Sequence, residues 1–375
     1  MKTIKDIQLL KGVKVLVRAD FNVPVKNDVV VDDYRIQATL PTINFLREKG
    51  AKVILISHLE ASDGSNGSLS PVAKQLKKLG QEVVFIENWK NANNIIENEM
   101  KDGGCVLLEN LRYFDGEKAN DTKFSKELAS LADIYVNDAF SVSHRAHASV
   151  VGVTKYLSSY AGLQLEKEIG NLSKVFNPAH PFLFILGGAK FETKLPLLEK
   201  FMDIADFVFV GGALATDIFK EKGYEIGKSL VSKGDFDLLR FANNPKLLLP
   251  LDLSNQNREI KPVNGLNKED QSMDSGPETL ELLKQKVSGA KFILWNGPLG
   301  VYEKGFKDNT LKLAKMIAEA TSNGTETIVG GGDTLAAIAE NGDQGKFTFV
   351  STGGGAMLEF LAKGTLPGIE VLNNS

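Results

Sequence analysis

Two lysines, Lys190 and Lys194, stand four residues apart behind a glycine pair in the stretch PFLFILGGAKFETK (181–194). An apolar run that stops at glycines and is followed by cations suits a strand ending where backbone amides meet an anion, with ammonium groups behind them. Four later stretches have the same form: GGAL (211–214), NGPLG (296–300), GGGDT (330–334) and STGGGA (351–356). A turn needing positive φ would explain any one of them. Five on one edge strip the β-carbons from a whole rim, so that phosphates and a flat ring can lie against the backbone. A nucleotide is the natural guest. Asp333, directly after the triple glycine, offers a hard oxygen suited to a phosphate-bound magnesium ion, and a helix N-cap role for it is compatible with that. No G-x-x-x-x-G-K-[ST] loop occurs. The clusters also lack G-x-G-x-x-G spacing with an acid about 20 residues on, which weakens the Walker-type and dinucleotide readings.

The first half carries a different set: RADFNVP (18–24), SHLEAS (57–62), ENLRYF (109–114) and NDAFSVSHRAHAS (137–149). Lysine is the usual base in this chain, and only seven of its 44 basic residues are arginine. Four of those, Arg18, Arg35 in the loop after the first strand, Arg112 and Arg145, fall where one rim would gather them. Guanidinium forks grip phosphate and carboxylate oxygens at two points, so the set reads as a cradle for a small, strongly anionic molecule, with surface ion pairs as the alternative. His58, His144 and His147 add donors, with His144 read as structural. No cluster has metal-ligand spacing and there is no nucleophile elbow. One glycine-rich rim and one cationic rim suggest two substrates brought together by a hinge. Phosphoryl transfer fits best, since it relies on positioning and charge neutralisation.

The elements that must position these residues are short β-branched and aromatic runs. In the first half they are VKVLV, AKVILIS, EVVFI, CVLLE and DIYVN; in the second they are PFLFIL, DFVFV, KLLLPLD, KFILW, ETIV and KFTFV. Segments such as SPVAKQLKKLG and DTLAAIAENG between them predict crossover helices with Ser-Pro or Asp-Thr starts and Gly stops. The predicted fold is α/β, with two doubly wound, Rossmann-like parallel sheets, their ligands beyond the carboxyl ends of the strands. LSSYAGLQLEKEIGNLSKVFNPAHP predicts a connecting hinge helix. The expected organisation is a lobe over 1–160, a hinge helix and linker over 161–178, a second lobe over 179–360, and a segment over 361–375 returning to the first lobe.

A chain of 375 residues exceeds one ordinary core and accommodates two. Its 43% apolar and 24% charged composition is that of a globular protein, and a net charge of −3 argues against a nucleic-acid partner. Cys105 is alone, which excludes a disulfide within the chain and fits a reducing compartment with the thiol buried in a strand. No signal-peptide pattern and no run of about 18 apolar residues occurs, so the expectation is a cytoplasmic protein without a membrane partner.

Taken in order, VRADFNVPV, ENLRYF, NDAFSVSHRAHAS, ILGGAKFETK, WNGPLGVYE, GGGDT and STGGGAMLEFLAKGTLPG resemble the sequence blocks of the phosphoglycerate kinases over almost the whole chain. The resemblance implies a two-lobed glycolytic kinase, a monomer, that moves the acyl phosphate of 1,3-bisphosphoglycerate to magnesium ADP, giving ATP and 3-phosphoglycerate. It implies that Asp20, Asn22, Arg35, His58, Arg112 and Arg145 bind the glycerate substrate, with Arg35 also reaching the transferring phosphate. Lys190 would follow that phosphate, while Lys194, Asn296 and Thr334 would contact nucleotide phosphates. Glu303 would take the ribose hydroxyls and Asp333 the magnesium ion, beside Gly330, Gly331 and Gly332. Gly211 and Gly212 would floor the adenine pocket, and the amides of Gly353, Gly354 and Gly355 would face the group in flight. Where the family usually has SHLGRP this chain has SHLEAS, so Glu60 and Ala61 stand in place of glycine and arginine. Weaker substrate binding is the expectation. A nucleotide-binding protein without turnover, or a kinase for another small carboxylate, are the competing readings.

Overall fold

The structure is a computed structural model that describes residues 1–61, 63–189, 191–234 and 236–374, with Lys90 and Phe191 by their backbone only. Lys190 and Ser62 therefore lie outside the described residues. The chain forms two units, one of Met1–Gly170 with the residues from Lys363 onward, the other of Asn171–Ala362.

The first unit is built on a six-stranded parallel sheet of β1 (Lys14–Arg18), β2 (Lys52–Ile56), β3 (Val84–Ile86), β4 (Cys105–Leu108), β5 (Ile134–Asn137) and β6 (Ser158–Ala161), in the spatial order β3-β4-β2-β1-β5-β6. Because both faces of its central strands are covered, those strands are mostly apolar; four of the five residues of KVLVR and of KVILI are buried. Cys105 is buried as its strand setting predicts, and burial pushes its thiol up to about 12. One helix, α1 (Tyr34–Glu48), begins a residue before Arg35, which places that arginine in a helical first turn and not in a loop. Another, α2 (Ser70–Lys78), takes Ser70 inside the helix, with Leu69 as its N-cap and Pro71 in its first turn. The connecting segment is shorter as a helix than its sequence predicts. Its Ser158–Ala161 extends into the edge strand β6, where Ser, Tyr and Ala alternate between buried and exposed sides, and only α3 (Leu163–Ser173) is helical, followed by a single turn over Lys174–Phe176. The C-terminal helix α6 (Pro367–Asn373) packs in the first unit, where the amide of Gly368 donates to the carbonyl of Ser143 at 2.8 Å.

The second unit has its own six-stranded parallel sheet: β7 (Phe182–Leu186), β8 (Phe207–Val210), β9 (Leu247–Leu248), β10 (Phe292–Asn296), β11 (Glu326–Gly330) and β12 (Phe349–Ser351), in the order β9-β8-β7-β10-β11-β12. The predicted strand KLLLPLD divides. Leu247–Leu248 joins this sheet, Pro250 cannot donate to a ladder, and Asp252–Asn255 enters a separate antiparallel sheet with Ile260–Pro262 and Ser272–Ser275. All five residues of β7 and of β10 are buried. The core between them is aromatic: Phe182 meets Phe201 and Phe292 edge-on at 5.9 and 5.2 Å, and each ring fully buried stabilises by about 1.5–3 kcal/mol.

Both sheets start in the middle and are wound outward in two directions, so each has a point where the strand order reverses. In the first it lies between β1 and β5, and in the second between β7 and β10. Chains leaving such a pair diverge and open a crevice at the carboxyl edge. Asp20 and Asn22 follow β1; Gly187 and Gly188 follow β7; Asn296 and Gly297 sit at the end of β10.

Candidate functional site

In the first unit, β1 delivers Arg18 into the interior. Its guanidinium is fully buried, with Nε donating to Ser149 Oγ at 3.0 Å and Nη2 to His58 Nδ1 at 3.1 Å. Arg18 was expected on the rim; it is instead a strut beneath it. Because a guanidinium only donates, His58 accepts at Nδ1 and carries its proton on Nε2. Burial, and then the charges of Arg18, Arg112 and Arg145, hold His58 well below the usual histidine range, so it stays neutral at pH 7.

Arg35 is aimed by the loop after β1. Its Nη1 lies 3.3 Å from Asp20 Oδ2 and donates to the carbonyl of Asn22 at 3.1 Å. Asp20 is itself fixed by Ser141 Oγ at 2.6 Å, which ties the ends of β1 and β5 together. Arg112 rides on a single turn over Leu111–Tyr113 capped by Asn110, whose Oδ1 accepts from the Arg112 amide at 2.9 Å. Its side chain is buried, and Nε and Nη1 make no hydrogen bond among the described residues, with the Glu60 carboxylate 3.5 Å from Nε. Arg145 donates from Nε to His144 Nε2 at 3.3 Å, so His144 orients an arginine, in keeping with a structural role. His147 is brought down to about 4 by burial and then by Arg112, Arg145 and Arg18. The charges of Arg18, Arg112 and Arg145 thus bear on two neutral imidazoles, an arrangement suited to an anionic guest, and neither imidazole is set up to give or take a proton near pH 7.

In the second unit the glycines divide into two kinds. A β-carbon on Gly187 would lie 2.1 Å from the carbonyl oxygen of Pro298, on Gly297 2.3 Å from that of Gly187, and on Gly212 2.7 Å from that of Gly188. Gly188, Gly212 and Gly297 also have φ of +87°, +62° and +97°. These glycines let three strand-end loops pack backbone on backbone, which is a reason for them that the sequence reading did not supply. Gly330 belongs with them, since its β-carbon would strike Met357 Sδ at 2.2 Å. Gly332, Gly354 and Gly355 are different: among the described residues nothing lies within 4 Å of their missing β-carbons, so their backbone is open to a guest. Gly353 spends its amide on Ser351 Oγ at 3.1 Å, which removes one of the three donors expected there.

Around this knot stand the polar groups. Lys194, in the first turn of α4 (Phe191–Ile204), folds its Nζ onto the carbonyl of Gly187, and burial, opposed by the Asp333 charge, brings it down to about 8. Asn296 is 3% exposed and its Nδ2 has no partner among the described residues. Thr334 accepts the Gly297 amide at Oγ1 (2.9 Å), leaving its hydroxyl proton to donate. The helix α5 (Gly332–Glu340) begins at Gly332 with Gly331 as N-cap, so Asp333 is an exposed second residue and not the cap. Among the described residues nothing hydrogen-bonds its carboxylate, which faces a cavity of about 290 Å³ that Gly212 and Glu303 also line. Gly211 packs on Phe209 instead.

The same cavity includes Tyr302 and Asp274, which the sequence reading passed over. Tyr302 donates to Glu340 Oε2 at 2.7 Å, fixing the turn that carries Glu303. Burial pushes the Asp274 carboxyl up to about 7. Asp274 lies on the antiparallel sheet that was not foreseen. Ser141 and Ser149 were also missed, since a lone serine carries no signal until its partner is known.

The family model for phosphoglycerate kinase matches residues 4–364. The chain is 45% identical to the phosphoglycerate kinase of Dictyoglomus turgidum, over 100% of this chain and 99% of that one. It is 43% identical to that of Clostridium tetani, over 100% and 98%. Among solved structures, phosphoglycerate kinase from Coxiella burnetii superposes with a TM-score of 0.84 at 36% identity, covering 99% of this chain and 98% of that one. The Pyrococcus horikoshii enzyme gives 0.87 at 31%, covering 100% and 98%.

Proposed function

The chain belongs to the phosphoglycerate kinase family, and from that membership we propose how its residues divide the work. It is a glycolytic phosphotransferase with a carboxyl group as acceptor, exchanging the acyl phosphate of 1,3-bisphosphoglycerate and ADP for 3-phosphoglycerate and ATP. The first unit holds the glycerate through Arg35, Arg112 and Arg145, with His58 Nε2–H as a neutral donor and Asp20 and Asn22 aiming Arg35. The second holds the nucleotide, its ribose on Glu303 and its phosphates on Lys194, Asn296, Thr334 and the amides at the start of α5. Gly354 and Gly355 face the group in flight; Lys190, which the family pattern assigns to that same group, lies outside the described residues.

The observation that carries this reading is the set of buried donors left unspent at each rim, Arg112 Nε and Nη1 in one and Asn296 Nδ2 in the other. An unpaired buried donor costs about 1–3 kcal/mol, and an anionic guest recovers it. Asp333 fits a magnesium ion that arrives with the nucleotide: its carboxylate is exposed and unspent, and among the described residues no cluster of three His, Cys, Asp or Glu would hold a metal alone. When bound, that ion would neutralise phosphate charge.

Transfer is direct and in line, and occurs when the two units bring their guests together across the hinge helix α3. The P–O bond to the carboxylate breaks as one to the β-phosphate of ADP forms. A carboxylate leaves without a proton, in agreement with the neutral imidazoles of His58 and His147. The enzyme acts as a cytoplasmic monomer, which sedimentation at micromolar concentration would check. Among the described residues no helix is long and apolar enough to cross a membrane.

The test is the initial rate of ADP release from magnesium ATP as 3-phosphoglycerate is titrated, with a blank lacking the acid. Saturable, acid-dependent release is expected. A rate at the blank with ATP still bound would mean a nucleotide-binding protein without turnover.

A further inference from the structure

Glu60 stands where the family usually has glycine, and its carboxylate sits 3.5 Å from Nε of Arg112. The two partners are unequally placed, since the Arg112 side chain is 1% exposed and that of Glu60 is 38% exposed. The carboxylate has an outlet to water, whereas the guanidinium needs an anion beside it. Few others are at hand. Glu117 also acts on Arg112, but its two oxygens are taken by the Ser149 amide and hydroxyl at 3.0 and 2.6 Å, and Arg18 and Arg145 add charge of the same sign.

The backbone keeps Glu60 in this position. Its amide donates to Asn22 Oδ1 at 2.9 Å, and it forms an antiparallel bridge with Asn66, whose Nδ2 donates to the Arg112 carbonyl at 3.0 Å. Asn110 takes the neighbouring carbonyls of Leu59 and Gly67 at 2.7 and 2.6 Å. Beside the loop a cavity of about 510 Å³, lined by Asn22, Leu59, Glu60, Ala61 and Gly67, gives the carboxylate somewhere to go. The small side chain of Ala61 is part of that opening.

We propose that Glu60 is a built-in competitor for the anion cradle. It neutralises Arg112 while the rim is empty and is displaced into the adjoining cavity when the substrate's anionic group arrives, so it sets the affinity for 3-phosphoglycerate. The same exchange screens the rim against simple anions such as sulfate. This inference rests on the reading that the first unit holds 3-phosphoglycerate.

Glu60→Gln keeps the shape and removes the charge. Calorimetric titration of the full-length variant with 3-phosphoglycerate alone, without nucleotide, is expected to show binding tighter by roughly 3- to 10-fold. In the kinetic assay KM for 3-phosphoglycerate falls in parallel, KM for magnesium ATP does not follow, and sulfate inhibits at lower concentration. Arg112→Lys is titrated alongside. If it weakens 3-phosphoglycerate binding while Glu60→Gln binds no tighter than the parent, Glu60 is only a loop residue and the competitor role is overturned. If Arg112→Lys leaves the affinity unchanged, the substrate assignment of this rim fails, and the competitor role falls with it.

Discussion

Lys194 donates from Nζ to the carbonyl oxygen of Gly187, so the ammonium carried by the first turn of α4 is folded back onto the end of β7. Burial lowers it to about 8 against the opposing pull of Asp333. Below that pH the group is a cation, above it an amine with little hold on phosphate. KM for magnesium ATP is therefore expected to rise as pH climbs from 7 to 9, approaching roughly tenfold per unit beyond the pKa. Lys194→Arg, charged throughout, should flatten that rise. A pH series of KM for both proteins checks it, and a flat parental profile would remove Lys194 from the phosphate contacts.

Asn296 lines the switch point of the second sheet with an Nδ2 that no described residue accepts. Replacing a buried unpaired donor by an apolar group of similar size removes its desolvation cost. Asn296→Leu is therefore expected to unfold at the parental temperature or above it without nucleotide, while nucleotide affinity falls by roughly 10- to 100-fold. Calorimetric melting with and without magnesium ADP reads both. A variant that melts lower yet binds nucleotide normally would make Asn296 a structural residue.

The parallel strands were legible because apolar runs such as FLFIL and KVILI have one use at that length: burial on both faces. The rims were legible because parallel strands put everything that follows them on one edge. What could not be read was partnership between distant residues. Arg18 looks the same in sequence as Arg112, and only the arrival of Ser149 and His58 makes it a strut. Ser158–Ala161 has the length of its neighbours but not a strand composition; the free edge of β5 makes it a strand. The glycines stood out, but sequence could not separate those that admit a neighbouring loop from those that admit a ligand.

That separation has consequences for mutation. Gly297→Ala would force a β-carbon to 2.3 Å from the Gly187 carbonyl oxygen at φ +97°, and several kcal/mol of destabilisation, about 3 or more, is expected. Gly355→Ala meets nothing within 4 Å among the described residues and has an ordinary φ, so its stability should stay within about 0.5 kcal/mol of the parent while kcat drops. Denaturant melts and kcat for the two variants distinguish these outcomes. Equal loss of stability in both would dissolve the distinction.

His147 is held down to about 4, first by burial and then by three arginines. Its unfolded value is near 6.5, so between pH 6.5 and 4 the unfolded chain binds more protons than the folded one. The stability this residue contributes is complete above pH 6.5 and is lost as the pH falls through that window. Buried carboxyls such as Asp138, raised to about 7, contribute with the opposite sign, so the variant is needed to isolate it. The stability difference between the parent and His147→Asn should shift against the parent from pH 7 to pH 5. Denaturant melts at both pH values check it, and a constant difference would show that His147 titrates normally.

Ala61 stands where a phosphate-binding arginine is usual in the family, and its neighbourhood is a cavity with a carboxylate on the wall. Ala61→Arg restores one charged hydrogen bond, worth about 1.5–3 kcal/mol, so KM for 3-phosphoglycerate is expected to fall by roughly 10- to 100-fold if nothing intercepts the new guanidinium. Glu60 is next to it in the chain and already engages Arg112, so part of the new charge is intercepted. The gain from Ala61→Arg should therefore be larger in a Glu60→Gln background than in the parent, a coupling that a double-mutant cycle on KM measures directly. Independent, additive effects would mean that Glu60 does not reach the position-61 side chain. No gain in either background would mean that the arginines already present saturate the substrate's phosphate.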